Sequence, residues 1–180
     1  MTTPNKHRST FVGSVADADR LIEHITEAAD RTRKRLFDKN FDAMRLLRAI
    51  KFYQVGHHPI EDRKLNFIEQ VNQTWTFLVA LYATKKLLEL HSDAEGFYLA
   101  PGAHASLPLD IMSAKAGYVG AETFAAVDPR NNGKINADLK KLASRQEEHR
   151  YIFFMSPLFP ESARQKKFER GEIQVWSIDF

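Results

Sequence analysis

The chain has 180 residues, 43% hydrophobic and 27% charged, the proportions of a folded domain with its own core rather than of a disordered segment. It holds no cysteine, which excludes disulfides, thiolate metal sites and a cysteine nucleophile, and fits a reducing, cytoplasmic setting. A net charge of +3 permits a polyanionic partner without demanding one, and the longest apolar run, FLVALY at 77–82, cannot span a bilayer.

Residues 1–10 lack periodicity and any apolar signal core, and read as a loose arm. From about 15 to 54 the pattern is helical. Leu21, Ile22, Ile25 and Ala29 recur at spacings of three and four, as do Phe41, Met44, Leu47 and Ile50. Asp38-Lys39-Asn40 divides this stretch into two helices, and Gly56-His57-His58-Pro59 ends the second. A third helix is expected over about 61–91. Its apolar stripe is Ile68, Val71, Trp75, Leu78 and Tyr82, with Glu69, Gln73 and Thr76 on another side.

The period then changes from helix to strand. GFYLA (96–100) reads as a short strand, LPLDIMSA (107–114) as a second and residues 118–127 as a third. Residues 132–145 form a helix with Ile135, Leu139 and Leu142 as its core stripe. Asn132 stands at its N-cap, and Lys141 and Arg145 lie toward the end where positive charge suits the dipole. YIFFM (151–155) is apolar on both faces, as a central strand must be. A helix at 161–170 and a last strand at 173–178 complete the pattern. The order implies an α+β (α/β) fold: a single domain over 1–180, with a helical N-terminal extension at 1–60 and a mixed sheet flanked by helices in a core at 61–180.

Two carboxylates interrupt apolar strands, Asp110 in LPLDIM and Glu122 in GAETFAAV. If the two strands pair through the turn at Ala116-Gly117, the acids converge near one end. Two converging carboxylates are costly unless a cation neutralises them. Mg²⁺ (or Mn²⁺) suits such a pair, since it takes oxygen ligands from one or two carboxylates and from substrate phosphate. An exposed surface position is the competing explanation for each acid.

Helix, strand, strand with Asp, strand with Glu, helix, strand resembles the core order of the PD-(D/E)xK nuclease superfamily, the restriction-endonuclease-like proteins. The resemblance covers roughly residues 66–157. It implies that Asp110 and Glu122 bind the metal and that the chain hydrolyses phosphodiester bonds in DNA as an endonuclease. The family's lysine stands two residues after the second acid, where this chain has Phe124, and the motif proline lies two residues before Asp110 rather than one. Some relatives take the lysine from the following helix, and Lys134 is the candidate for that part. The preceding helix supplies a polar residue in some relatives, for which Glu69 and Gln73 are the candidates.

Other motifs carry less. His57-His58 and His104 show no helical ligand spacing, Ser106, Ser113 and Ser144 have no nucleophile-elbow context, and no phosphate-cradling glycine motif occurs. Asn131-Asn132-Gly133 reads as a turn and cap before it reads as a phosphate seat. Trp75 and Trp176 fall on apolar stripes. The basic runs RTRKR (31–35), RLLRAIK (45–51) and RQKKFER (164–170) read first as solvated faces and second as phosphate contacts. The N-terminal helices are candidates for a homodimer interface. The alternative to a nuclease is the same fold with a decayed site, serving as a nucleic-acid- or protein-binding module. A third reading is a helical interaction protein whose sheet is scaffold.

Overall fold

A capping pair starts the first helix: Ser14 Oγ accepts from the Asp17 amide at 3.2 Å, and Asp17 Oδ2 accepts from the Gly13 amide at 3.1 Å. The computed structural model describes residues 9–37, 40–61, 63–102 and 106–179. In chain order its elements are β1 (Thr10–Val12), α1 (Val15–Phe37), α2 (Ala43–Phe52), β2 (Gly56–His57), β3 (Lys64–Leu65), α3 (Phe67–Leu90) and β4 (Phe97–Leu99). There follow β5 (Ile111–Ser113), β6 (Val119–Ala125), α4 (Lys134–Ala143), β7 (His149–Met155), β8 (Ala163–Arg164) and β9 (Ile173–Ser177). The described residues cluster into two compact units, Asp19–Leu78 and the described parts of Met1–Ala18 with Val79–Phe180.

In the unit Asp19–Leu78 the helices form where their periodicity placed them and Ile25, Ala28, Leu36 and Ala49 are buried, but the expected stripe of the third helix is not a core face: Ile68, Val71 and Trp75 are exposed at 42%, 36% and 36%. Gln70, itself 2% exposed, ties three segments together. Its Oε1 accepts from Thr32 Oγ1 at 2.6 Å and from the His57 amide at 3.1 Å, and its Nε2 donates to the Ala28 carbonyl at 3.2 Å. A buried amide is tolerated when its donors and acceptors are met in this way. Other details differ from the sequence pattern. The third helix starts at Phe67, because the β2–β3 hairpin occupies the residues before it. Ala28, rather than Ala29, faces the core, and Met44 and Leu47 stand exposed at 73% and 57%. The helix break at Asp38-Lys39 lies outside the described residues.

The second unit is built on a mixed sheet of order β1-β4-β5-β6-β7-β9-β8. β4, β5 and β6 form an antiparallel meander, while β6, β7 and β9 run parallel. The parallel strands require a crossover, and α4 supplies it between β6 and β7. Ile135, Leu139 and Leu142 seat α4 on Phe124, Ile152, Phe154, Ile173 and Val175, all buried. Phe124 and Phe154 stack with ring centres 5.8 Å apart. With four α-helices and a mixed seven-stranded sheet among its described residues, the chain is α+β.

Three expectations about this unit are corrected. Thr10, at the end of the expected arm, already belongs to a strand, β1: Thr10 pairs with Leu99 and Val12 with Phe97, too short a segment for periodicity to reveal, while residues 1–8 of that arm lie outside the described residues. The second strand is only Ile111–Ser113, preceded by bends through Pro108. Residues 161–170 are not a helix. They form β8, antiparallel to β9, and a 3-10 turn at Lys166–Phe168. There Phe168 packs on Phe159 and Arg164 binds Glu169 at 2.7 Å, so contacts with neighbouring segments override helical periodicity.

Candidate active site

β5 and β6 pair Ile111 with Ala121, so Asp110 stands one step before β5, level with Glu122. Thr123 holds Asp110 there: its amide donates to Asp110 Oδ2 at 2.8 Å and its hydroxyl at 3.1 Å. Glu122 is 3% exposed, on the strand that carries Phe124 two residues later. Burial raises its carboxyl above the ordinary value, and the charge of Asp110 adds to this; the ammonium of Lys141 opposes it. Lys141 Nζ donates to Glu122 Oε1 at 2.6 Å.

The lysine that reaches the acid pair is therefore Lys141, not Lys134. The reason is geometric. α4 returns antiparallel to β6, so its first residues lie beyond Glu122 and its later ones come back over it. Lys134 lies by Phe124, with Nζ 5.9 Å from the ring centre. Seven residues of helix later, about 10 Å along its axis, Lys141 is over Glu122.

Lys134 instead donates to Asp138 Oδ1 at 2.6 Å. Asp138 is 3% exposed, and burial raises its carboxyl; the lysine opposes that shift and the charge of Asp110 adds to it. Lys134, Asp138 and Lys141 form a polar line one residue ahead of the apolar line Ile135, Leu139 and Leu142, hence about 100° round the helix. Sequence reasoning missed Asp138 and treated Lys141 as a dipole residue. The i, i+4, i+7 spacing beside an apolar stripe was the available signal.

The helix begins at Lys134 with Gly133 as its N-cap in a left-handed conformation (φ 62°) and Asn131–Gly133 as a 3-10 turn, so Asn132 is not the cap. Glu69 serves as a capping partner at the start of α3: its amide donates to Asn66 Oδ1 at 2.8 Å, and its carboxylate accepts from the Asn66 amide at 3.4 Å. Gln73 is half-buried on the same helix, and both residues belong to the unit Asp19–Leu78. Ser113 closes the β5–β6 turn, donating to the Lys115 carbonyl at 2.6 Å and accepting from the Val119 amide at 2.9 Å. His104 lies outside the described residues.

Among the described residues no three His, Asp or Glu side chains converge closely enough to hold a metal ion between them. Two carboxylates with phosphate and water oxygens are an ordinary Mg²⁺ set, so Asp110 and Glu122 fit that ion in type and number.

A second polar cluster involves the first residues of β7, with Tyr151 in register with Ala121. His91 is buried, with Nε2 2.7 Å from the Tyr151 hydroxyl and its ring centre 4.5 Å from that of His149. Tyr118 packs on both histidines and donates to Asp93 Oδ1 at 2.9 Å, and Lys115 donates to Asp93 Oδ2 at 3.1 Å.

Among the described residues no helix is long and apolar enough to cross a membrane. No protein-family model, curated protein or solved structure matches the chain.

Proposed function

We propose that the unit carrying Asp110 and Glu122 is a metal-dependent phosphodiesterase with a restriction-endonuclease-like core, acting on DNA. One observation carries this: a lysine from the helix after the second-acid strand, Lys141, meets Glu122 beside Asp110. The order α3, β4, β5, β6, α4, β7, with β6 parallel to β7, supports the same reading.

Asp110 and Glu122 would hold Mg²⁺ or Mn²⁺, which when bound supplies Lewis-acid charge at a phosphoryl oxygen and acidifies a water. Thr123 fixes one oxygen of Asp110 and thereby orients the other. Glu122, buried on the strand, presents a carboxylate whose rotation is restricted by packing. Lys141 places a mobile ammonium where negative charge gathers on the phosphate. Its side chain is 46% exposed, which leaves it free to move from Glu122 toward a substrate. The exposed Met44, Leu47 and Phe52 of α2 support pairing of two copies, as an enzyme cutting both strands requires; sedimentation of the full chain tests that.

The catalytic claim is tested on plasmid DNA in Mg²⁺. Asp110→Asn, Glu122→Gln and Lys141→Met should each lower the cleavage rate by about 100-fold or more, and Lys134→Met by less. No cleavage by the wild-type chain in any divalent metal would contradict it. Phe124 at the motif lysine's position favours a second reading, an inactive nuclease fold that binds nucleic acid. DNA binding without cleavage, unaffected by Glu122→Gln, is its signature.

A further inference from the structure

We propose that Phe11 and Tyr98 form a stacking platform for an unpaired nucleobase on the sheet face that carries Glu122, so that the DNA taken is a single strand or a locally opened one; the inference rests on the reading of DNA as the substrate given above. Tyr98, Met112 and Gly120 stand level on β4, β5 and β6, and Phe11 on β1 is level with Tyr98. Successive residues of a strand alternate between the two faces of its sheet, so these four positions share the face of Glu122, two residues beyond Gly120. Asp110 lies two residues before Met112, about 7 Å along the strand. α4 packs on β6, β7 and β9. At β1 and β4 the face is open: Phe11 is 50% and Tyr98 40% exposed, whereas Val12, Phe97 and Leu99, turned the opposite way, are buried.

The pair is seated rather than loose. Its ring centres lie 5.1 Å apart with the planes tilted by 50°. Phe11 rests on glycine: a Cβ at Gly96 would lie 2.7 Å from Phe11 Cζ, and one at Gly13 3.1 Å from Phe11 Cε1. A cross-strand pair that only braced the sheet would gain most by burying its rings. This pair is held on one side and left in water on the other. A ring fixed in this way loses little freedom on binding and suits the flat face of a base, whichever base it is. In a duplex both faces of a base are covered by its neighbours, so an unpaired base is the one that can stack on protein. Charge completes the match. Lys141, with a side chain 46% exposed beside Glu122, offers its ammonium to the phosphate that follows such a base.

The test uses an oligothymidylate of about ten nucleotides, a length such grooves commonly hold, carrying one 2-aminopurine whose fluorescence is quenched when it stacks. The full chain is titrated with it in EDTA and again in Ca²⁺. Wild type should bind the strand, quench the probe, and bind a blunt duplex of the same length about tenfold more weakly. Phe11→Leu and Tyr98→Leu, which keep apolar bulk and remove the ring face, should each weaken single-strand binding about tenfold and abolish the quenching. Phe11→Trp and Tyr98→Phe should preserve both. A melting curve accompanies each variant, and threonine, which strands accept, replaces any leucine that prevents folding. If the leucine variants bind and quench as wild type does, or if wild type takes up duplex but no single strand, the platform is overturned while the acid pair stands. If they alter sedimentation and leave binding unchanged, the pair is a contact between copies of this chain and the platform is likewise overturned. Binding with quenching by a chain that cleaves nothing upholds the platform and contradicts the phosphodiesterase.

Discussion

At the scale of single residues, the acids cost the fold what they offer the site. Glu122 and Asp138 both have carboxyls raised by burial above the ordinary value, so ionising them in the folded chain costs stability. The sign follows from linkage. A raised carboxyl makes the fold most stable at low pH, and that contribution is lost as pH rises through the raised value. Above the raised values both groups subtract from stability, and an unpaired buried oxygen such as Asp138 Oδ2 adds a cost of about 1–3 kcal/mol. Glu122→Gln and Asp138→Asn should therefore raise the melting temperature at pH 7. A gain of about 1 kcal/mol corresponds to about 2–4 °C in a chain of this size. Melting below wild type would show instead that the ion pairs with Lys141 and Lys134 hold the structure together.

At the scale of elements, α4 decides which lysine meets Glu122. Its apolar line was legible in the sequence, since Ile135, Leu139 and Leu142 are buried as their spacing implies. The assignment of the lysine was not, because it depends on the direction in which the crossover returns over β6. A residue at the helix mouth is closest to Glu122 in sequence and not in space. The strand also imposes a steric condition. A Cβ at Gly120 would lie 2.5 Å from Leu109 Cδ1 and 3.1 Å from Glu147 Cγ, next to the residue that precedes Asp110. Gly120→Ala should destabilise the fold by about 1–3 kcal/mol through overpacking, and denaturant unfolding measures it. A wild-type midpoint would mean that Leu109 moves aside freely. The segment 161–170 shows the opposite limit: its helical composition was legible, but the pairing of Ala163 with Ser177 is long-range and invisible to periodicity.

At the scale of the whole molecule, the sheet carries two sets of polar groups, and only one set was legible. Asp110 and Glu122 announced themselves by interrupting apolar runs. His91, Tyr118, His149 and Tyr151 are scattered over sixty residues and meet only because β6 and β7 are parallel neighbours. Burial holds the His91 imidazole below its ordinary value of 6.5, with the nearby His149 acting in the same direction and Asp93 and Glu148 opposing. A depressed histidine contributes stability above 6.5 that is lost as pH falls below that value. The His91 contribution should accordingly fall with acidification through 6.5, and His91→Gln should remove that part of the pH dependence in melting curves taken across the range. An unchanged slope would assign the acid sensitivity to other groups.

The central claim is that a divalent cation belongs between Asp110 and Glu122. The most direct measurement is a crystal structure of the full chain grown with Mn²⁺, with the ion located by its anomalous scattering. We expect a peak about 2.0–2.2 Å from one oxygen of each acid, with the Lys141 ammonium withdrawn from Glu122. A site without an anomalous peak, with Lys141 still seated on Glu122 at saturating Mn²⁺, would contradict it.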